Sequence, residues 1–239
     1  MQENEIKLNK KMTQFVVIGL GRFGRSIATR LAEMGKEVLC IDKNESAVKQ
    51  MQDVVSAAVV ADSTEKEVLH SLGVQNFDCA INCIGEDLQS SILTTLNCKE
   101  LGVKYVVAKA KDEQNKKVLE KIGADLVVFP EAIMGRKVAT MLTNPSINEI
   151  MNLTDSFKIV EMPIVDDWDN KTIIDVNIRK KYKVSIIFVK RGTSVIYPEP
   201  ETILLKDDIL IVAGEKSKLD ALSKMTNEVI DFSSSLNNL

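Results

Sequence analysis

The sequence predicts an α/β fold: a doubly wound parallel sheet followed by a small α+β module. Three observations carry this. Short runs rich in Val and Ile alternate with helical patterns through residues 14–143, the texture of strands buried on both faces. A glycine-rich turn, 19-GLGRFG-24, follows the first of these runs and opens a helical pattern. After roughly residue 145 the strands crowd together and the helices shorten, as in a separate mixed module.

Taken in order, the strand candidates are 14-QFVVI-18, 37-EVLCI-41, 57-AAVVA-61, 78-DCAINC-83, 104-KYVVAK-109 and 125-DLVVF-129. Helical patterns at 25–35, 87–102 and 113–123 each end in Gly, a common stop signal. In 64-TEKE-67, Thr and Glu stand at capping-box spacing. Strands alternating with helices imply right-handed βαβ units and a Rossmann-like sheet. Beyond it, 146-SINEIMNL-153 reads as a short helix. Apolar-alternating segments then follow at 157–164, 184–190, 194–198 and 208–214, with helical stretches at 174–182 and 216–225. The chain thus divides into a domain at 13–145, a second at 146–227, and a polar tail at 228–239 expected to be flexible.

Composition removes several function classes. The 239 residues are 45% hydrophobic and 27% charged, ordinary globular usage. A formal charge of −3, from 31 Lys and Arg against 34 Asp and Glu, argues against a general nucleic-acid binder, and no basic helix suited to reading DNA is visible. No apolar run approaches the roughly 18 residues of a membrane span. The polar start lacks the apolar core of a secretory signal, so a cytoplasmic location is expected. Cys40, Cys79, Cys83 and Cys98 lie in or beside apolar runs without paired spacing, as buried reduced thiols do. The single His, His70, falls in an amphipathic helical pattern, where a structural role is the ordinary one. That leaves little room for His-dependent proton transfer.

The glycine turn is the sharpest chemical feature. Gly19 permits a tight turn, Gly21 lets backbone approach a phosphate, and Gly24 allows close packing, while amides at the helix start face the anion. Asp42 ends the second strand eighteen residues beyond Gly24. A carboxylate there accepts ribose hydroxyls and repels a 2′-phosphate. Arg22 lies inside the loop, where a guanidinium suits a terminal phosphate such as that of ADP or ATP; a solvated loop arginine is the competing reading. Other strand ends should line the same crevice: Asp62 and Ser63, the turn Cys83–Ile84–Gly85, and Lys109. Each is equally suited to capping or turning. Glu131, after Pro130 at a helix start, is explained by the helix dipole alone. Paired catalytic carboxylates, a nucleophile motif and metal-spaced His are all missing. The pattern favours nucleotide sensing over turnover and predicts a chain that is not an enzyme; the alternative is an NAD(H)-binding redox sensor or NAD-dependent oxidoreductase.

The run 14-QFVVIGLGRFGRSIATRLAEMGKEVLCIDKNE-45, with 60-VADST-64, 84-IGED-87, 116-KKVLEKIGADLVVFPEAIMG-135 and 173-IIDVNIRKKY-182, resembles the RCK family. This family includes the cytosolic regulatory subunits of Ktr- and Trk-type bacterial potassium uptake systems. The resemblance covers about residues 13–226. It implies a Rossmann-like RCK-N (TrkA-N) domain and a small RCK-C (TrkA-C) domain. It also implies dimers assembling into an octameric ring, docked on a membrane-embedded potassium-translocating subunit. The family's ligands are ATP and ADP, or NAD(H) in some members.

Gly19, Gly21, Arg22, Phe23 and Gly24 match its phosphate loop, with Arg22 reaching a terminal phosphate across the dimer. Asp42, with the adjoining Lys43 and Asn44, matches its ribose side. Asp62, Ser63 and Cys83–Ile84–Gly85 match its base side, and Lys109 its later basic position. Glu131 matches a carboxylate near the nucleotides where a divalent cation (Mg or Ca) binds. Ile173, Ile174, Asn177 and Arg179 match an element through which some relatives bind cyclic di-AMP, although those relatives carry Asp where this chain has Asn177. Periodicity alone places Ile173 and Ile174 in the core.

Overall fold

The computed structural model describes residues 12–143 and 146–226, so the tail expected at 228–239 lies outside the described residues. Two compact units divide between Ile133 and Met134.

The first unit alternates β1 (Gln14–Ile18), α1 (Arg22–Glu33), β2 (Glu37–Asp42), α2 (Glu45–Lys49), β3 (Ala57–Val60), α3 (Lys66–Ser71), β4 (Cys79–Asn82), α4 (Leu88–Glu100), β5 (Tyr105–Lys109), α5 (Glu113–Lys121) and β6 (Leu126–Val128). Helix α6 (Pro130–Thr143) follows, and the division between units falls inside it. The sheet order is β3-β2-β1-β4-β5-β6, all parallel. Alternation along β1 serves both faces. Phe15 and Val17 pack into one apolar layer with Ala28 and Val38, Val16 and Ile18 into the other with Leu69 and Val106. Each such side chain removed from water contributes about 2 kcal/mol before entropy is counted. The order reverses at β1, which pairs with both β2 and β4. A crevice at the carboxyl ends of the strands belongs at this switch point.

The second unit holds β7 (Asn148–Asn152), β8 (Phe157–Pro163), α7 (Ile173–Val176), α8 (Ile178–Tyr182), β9 (Val184–Arg191), β10 (Ser194–Ile196), β11 (Ile209–Glu215) and α9 (Lys216–Ser223). Its sheet is antiparallel, in the order β10-β9-β11-β8-β7. Val160, Met162, Trp168, Leu204, Leu210 and Leu219 centre its core. Asp208 is fully buried and accepts both arms of the Arg191 guanidinium at 2.7 Å, with Leu205 N at 2.9 Å. Arg191 also donates to the Ile203 carbonyl at 2.8 Å. This fork fastens the chain before β11 onto β9.

Two local expectations fail. Residues 146–153 are not helical; β7 occupies Asn148–Asn152. A register shift between Glu149 and Met151 against β8 breaks the period of two and leaves Ile147, Ile150 and Met151 at helix-like spacing. The Thr64–Glu67 capping box does not form, because the Thr64 backbone N–H and hydroxyl both donate to Asp62, at 2.9 and 2.7 Å, and α3 starts only at Lys66. Among the described residues, no helix is long and apolar enough to cross a membrane.

Candidate functional site

The glycine loop joins β1 to α1 at the switch point. Gly19 has φ +91°, a left-handed conformation, and a Cβ there would come within 3.0 Å of Ile84 N. Glycine is therefore needed for both conformation and clearance. A Cβ on Gly24 would lie 2.0 Å from the Gly19 carbonyl oxygen, so its packing role is against the loop itself. Gly21 differs: it is the N-cap residue of α1, and a Cβ on it would meet nothing within 4 Å. Its open backbone next to the amides of a twelve-residue helix is a cradle suited to an anion.

Asp42 is bound into the loop. One carboxylate oxygen accepts from Leu20 N at 2.5 Å and the other from Asn44 N at 2.8 Å. Each oxygen keeps a lone pair for a further donor, so Asp42 can shape the loop and still meet a ribose hydroxyl. Asn44 caps α2, accepting from Ser46 N and Ala47 N at 2.9 and 3.3 Å. The exposed Lys43 stands near Asp62 and Asp87, lowering the pKa of both as a minor influence beside the hydrogen bonds each carboxyl receives. Asp62 lies below the usual aspartate value first because the Thr64 side chain donates to it. Arg22, the first residue of α1, is exposed, and its side chain makes no hydrogen bond or ion pair with the described residues.

A second group of expected residues meets at the ends of β4 and β5. The Lys109 side chain lies over Gly85, whose added Cβ would sit 3.3 Å from Cδ, Cε and Nζ. Its Nζ stands 5.9 Å from the Phe23 ring centroid and donates to Glu131 at 2.6 Å, combining cation–π and charge-assisted contacts. That hydrogen bond holds the Glu131 carboxyl below its usual pKa. Glu131 is thus claimed by an ammonium. No group of three or more His, Cys, Asp or Glu able to hold a metal occurs among the described residues. Within one chain Glu131 supplies a single carboxylate here, so a divalent cation would need further oxygens from a bound phosphate or a second chain.

Other expected residues are placed differently. Ser63 is buried, with its hydroxyl on that of Thr94 at 2.8 Å. Cys83 is buried too; its N donates to the Ile18 carbonyl at 2.7 Å. Burial pushes its thiol up to about 12, against the opposing pull of Lys109. Cys40, Cys79 and Cys98 are likewise free, buried and raised to about 12, chiefly by desolvation. In the second unit, Ile173 packs partly against the core while Ile174 is 63% exposed. Asn177, at φ +51°, links α7 to α8 and is exposed like Arg179. Three of these four positions therefore face solvent. Sequence reasoning missed Asn82, Thr94, Thr95 and Asn97, all buried polar residues around the turns after β3 and β4. Their only signal is polarity where apolar residues are expected, at the end of 79-CAIN-82 and within 91-SILTTLNC-98.

Parallel sheet, glycine loop and strand-end carboxylate together define a Rossmann-type ligand-binding protein with an appended α+β unit. Models of the TrkA-N and TrkA-C domains match residues 15–130 and 159–227. Ktr system potassium uptake protein A of Bacillus subtilis (strain 168) is 42% identical over 210 residues, 87% of this chain and 95% of that protein. The crystal structure of the GsuK RCK domain superposes with a TM-score of 0.63 at 22% identity, covering 93% of this chain and 49% of that one. The GsuK channel bound to NAD gives 0.60 at 23%, covering 93% and 41%. The chain spans about half of those solved chains or less, and they show the fold. The chain belongs to the RCK family.

Proposed function

We propose that the chain is the regulatory subunit of a Ktr-type potassium uptake system and that an adenine nucleotide at the β1–β4 crevice sets its state. The carrying observation is the open Gly21 backbone at the start of α1, flanked by the exposed Arg22 and by Asp42. Backbone amides meet the phosphates, Asp42 the ribose, and the turns around Asp62 and Cys83–Gly85 the base. Arg22, whose side chain has no partner among the described residues, is suited to the extra phosphate that separates ATP from ADP. Lys109 serves a phosphate only by loosening its bond to Glu131, so phosphate and Glu131 compete for one ammonium. A nucleotide shifts such a protein only by binding one state better than the other. The subunit acts without turnover, as a homo-oligomer, in the dimers and octameric ring of its family. It sits in the cytoplasm on a membrane-embedded potassium-translocating subunit. Ile174, Asn177 and Arg179 offer a solvent-facing element for cyclic di-AMP.

Calorimetric titration of Arg22→Ala tests the central claim. Loss of charge-assisted bonds to one phosphate should weaken ATP by roughly tenfold or more and ADP far less. Unchanged ATP affinity would refute the terminal-phosphate role. NADH binding without any ATP binding would instead move the site to the NAD(H) reading, for which Asp42 is equally suited.

Glu131 has its own test. In the family reading Glu131 would supply a carboxylate ligand to Mg²⁺ or Ca²⁺ beside the bound nucleotide. Titrating either ion into the ATP-loaded wild type should release heat that Glu131→Gln abolishes. The same isotherm in both proteins would remove Glu131 as a ligand.

A further inference from the structure

Helix α4 is an unusual partner for a buried sheet. Ser91, Thr94, Thr95 and Asn97 are all buried in it, on a face where such a helix ordinarily presents aliphatic side chains. Buried polar groups cost stability unless they are bonded, and these are bonded to two turns. Asn82, fully buried at the end of β4, donates to the Ser91 carbonyl at 2.8 Å, Ser91 Oγ at 3.2 Å and Thr95 Oγ1 at 2.9 Å. Its Oδ1 accepts from Ile84 N at 3.0 Å. Asn97 donates to the carbonyls of Thr64 at 2.9 Å and Ser63 at 3.3 Å. The Ser63 and Thr94 hydroxyls close the network. One helix face thus fastens both the turn after β3 and the turn after β4. Ile84 is also the residue that Gly19 must clear, so the position of its backbone sets how closely the glycine loop can approach.

We infer that Asn82 and Asn97 are positioning residues for the base of the bound nucleotide. They hold the two base-side turns to one rigid helix, so the walls are shaped before the ligand arrives. An apolar face would pack α4 against the sheet equally well, but the turns would then have to be ordered during binding, at the expense of affinity. The inference rests on the adenine-nucleotide reading above.

Calorimetry on the full chain with AMP, ADP and ATP tests it, using Asn82→Leu, Asn97→Leu, the milder Thr94→Val and Thr95→Val, and Cys98→Ala as a control. Cys98 is fully buried on the same helix and bonds to neither turn. Each Asn variant should weaken all three nucleotides by the same factor, about tenfold, and each Thr variant by about threefold. A base-side lesion is blind to phosphate number, whereas Arg22→Ala is not. Cys98→Ala should lower the melting temperature while leaving affinity unchanged. Asn variants that bind within about twofold of wild type would overturn the inference. Should they fail to fold, unaltered affinity in both Thr variants would overturn it. A wild type that binds no adenine nucleotide overturns the underlying reading and this inference with it.

Discussion

Gly24→Ala is expected to destabilise the first unit by about 3 kcal/mol or more, the upper range for overpacking. Its new methyl would lie 2.0 Å from the Gly19 carbonyl oxygen. Gly19 cannot retreat, since its N donates to the Ile41 carbonyl at 2.8 Å and its other side faces Ile84 N. Denaturant unfolding checks this, as a fall in midpoint at constant slope. Gly21→Ala makes the matched comparison. Gly21 sits at φ −64° and ψ −176°, where alanine is unstrained, and stability should stay within about 0.5 kcal/mol. If the crevice takes phosphate against this backbone as proposed, nucleotide affinity should nevertheless fall. Two glycines three residues apart would then fail in opposite ways, one in folding and one in binding. Equal stability losses would contradict the geometry of the loop.

Asp208→Asn is expected to destabilise the second unit by about 2–3 kcal/mol. That is toward the low end for breaking a buried pair, because Arg191 keeps partial access to water. Burial raises the Asp208 pKa, but the bonds from Arg191 and Leu205 N, with the Arg191 charge, outweigh it and hold the carboxyl below 3.8. A folded pKa below the unfolded one contributes stability that is fully present above the unfolded value and is lost as pH falls through the folded one. The gap between wild type and Asp208→Asn should therefore stay constant down to about pH 4 and close below it. A gap that widens with acid would contradict the ion pair. The lesion should also reach the Ile173–Ile174 segment, because Ile173 N donates to the Thr202 carbonyl and Ile174 N to that of Pro200. Both acceptors lie in the stretch that Arg191 and Asp208 fasten.

The parallel sheet was legible because every strand is a compact apolar run bounded by Gly or polar residues, and the glycine loop because its spacing is set by sterics alone. Residues 146–153 were illegible for a physical reason. A bulge moves side chains across the sheet by one position, and the resulting Ile147–Ile150–Met151 spacing looks like a helix face. Thr64 shows a different limit: two carboxylates could accept from its backbone N–H, and that of Asp62, two residues away, does so in place of Glu67. Within the site, Asp42 and Lys109 could be read from strand ends, but the partners that occupy them could not. That Glu131 is bound to Lys109, and that Ser63 faces Thr94, depends on contacts between residues 22 and 31 positions apart. The polar face of α4 carried no periodic signal because its residues serve turns, not a core.

The burial of the four cysteines has a practical consequence for studying motion in this molecule. Thiol-directed probes react with the thiolate, and a group with a pKa near 12 that water cannot reach offers almost none at neutral pH. The native chain is therefore a silent background for maleimide chemistry. A single cysteine placed at an exposed position such as Met34, 57% accessible, would take a fluorophore or spin label alone. Ligand-driven movements could then be followed by spectroscopy without first stripping the sheet of the thiols that fill it.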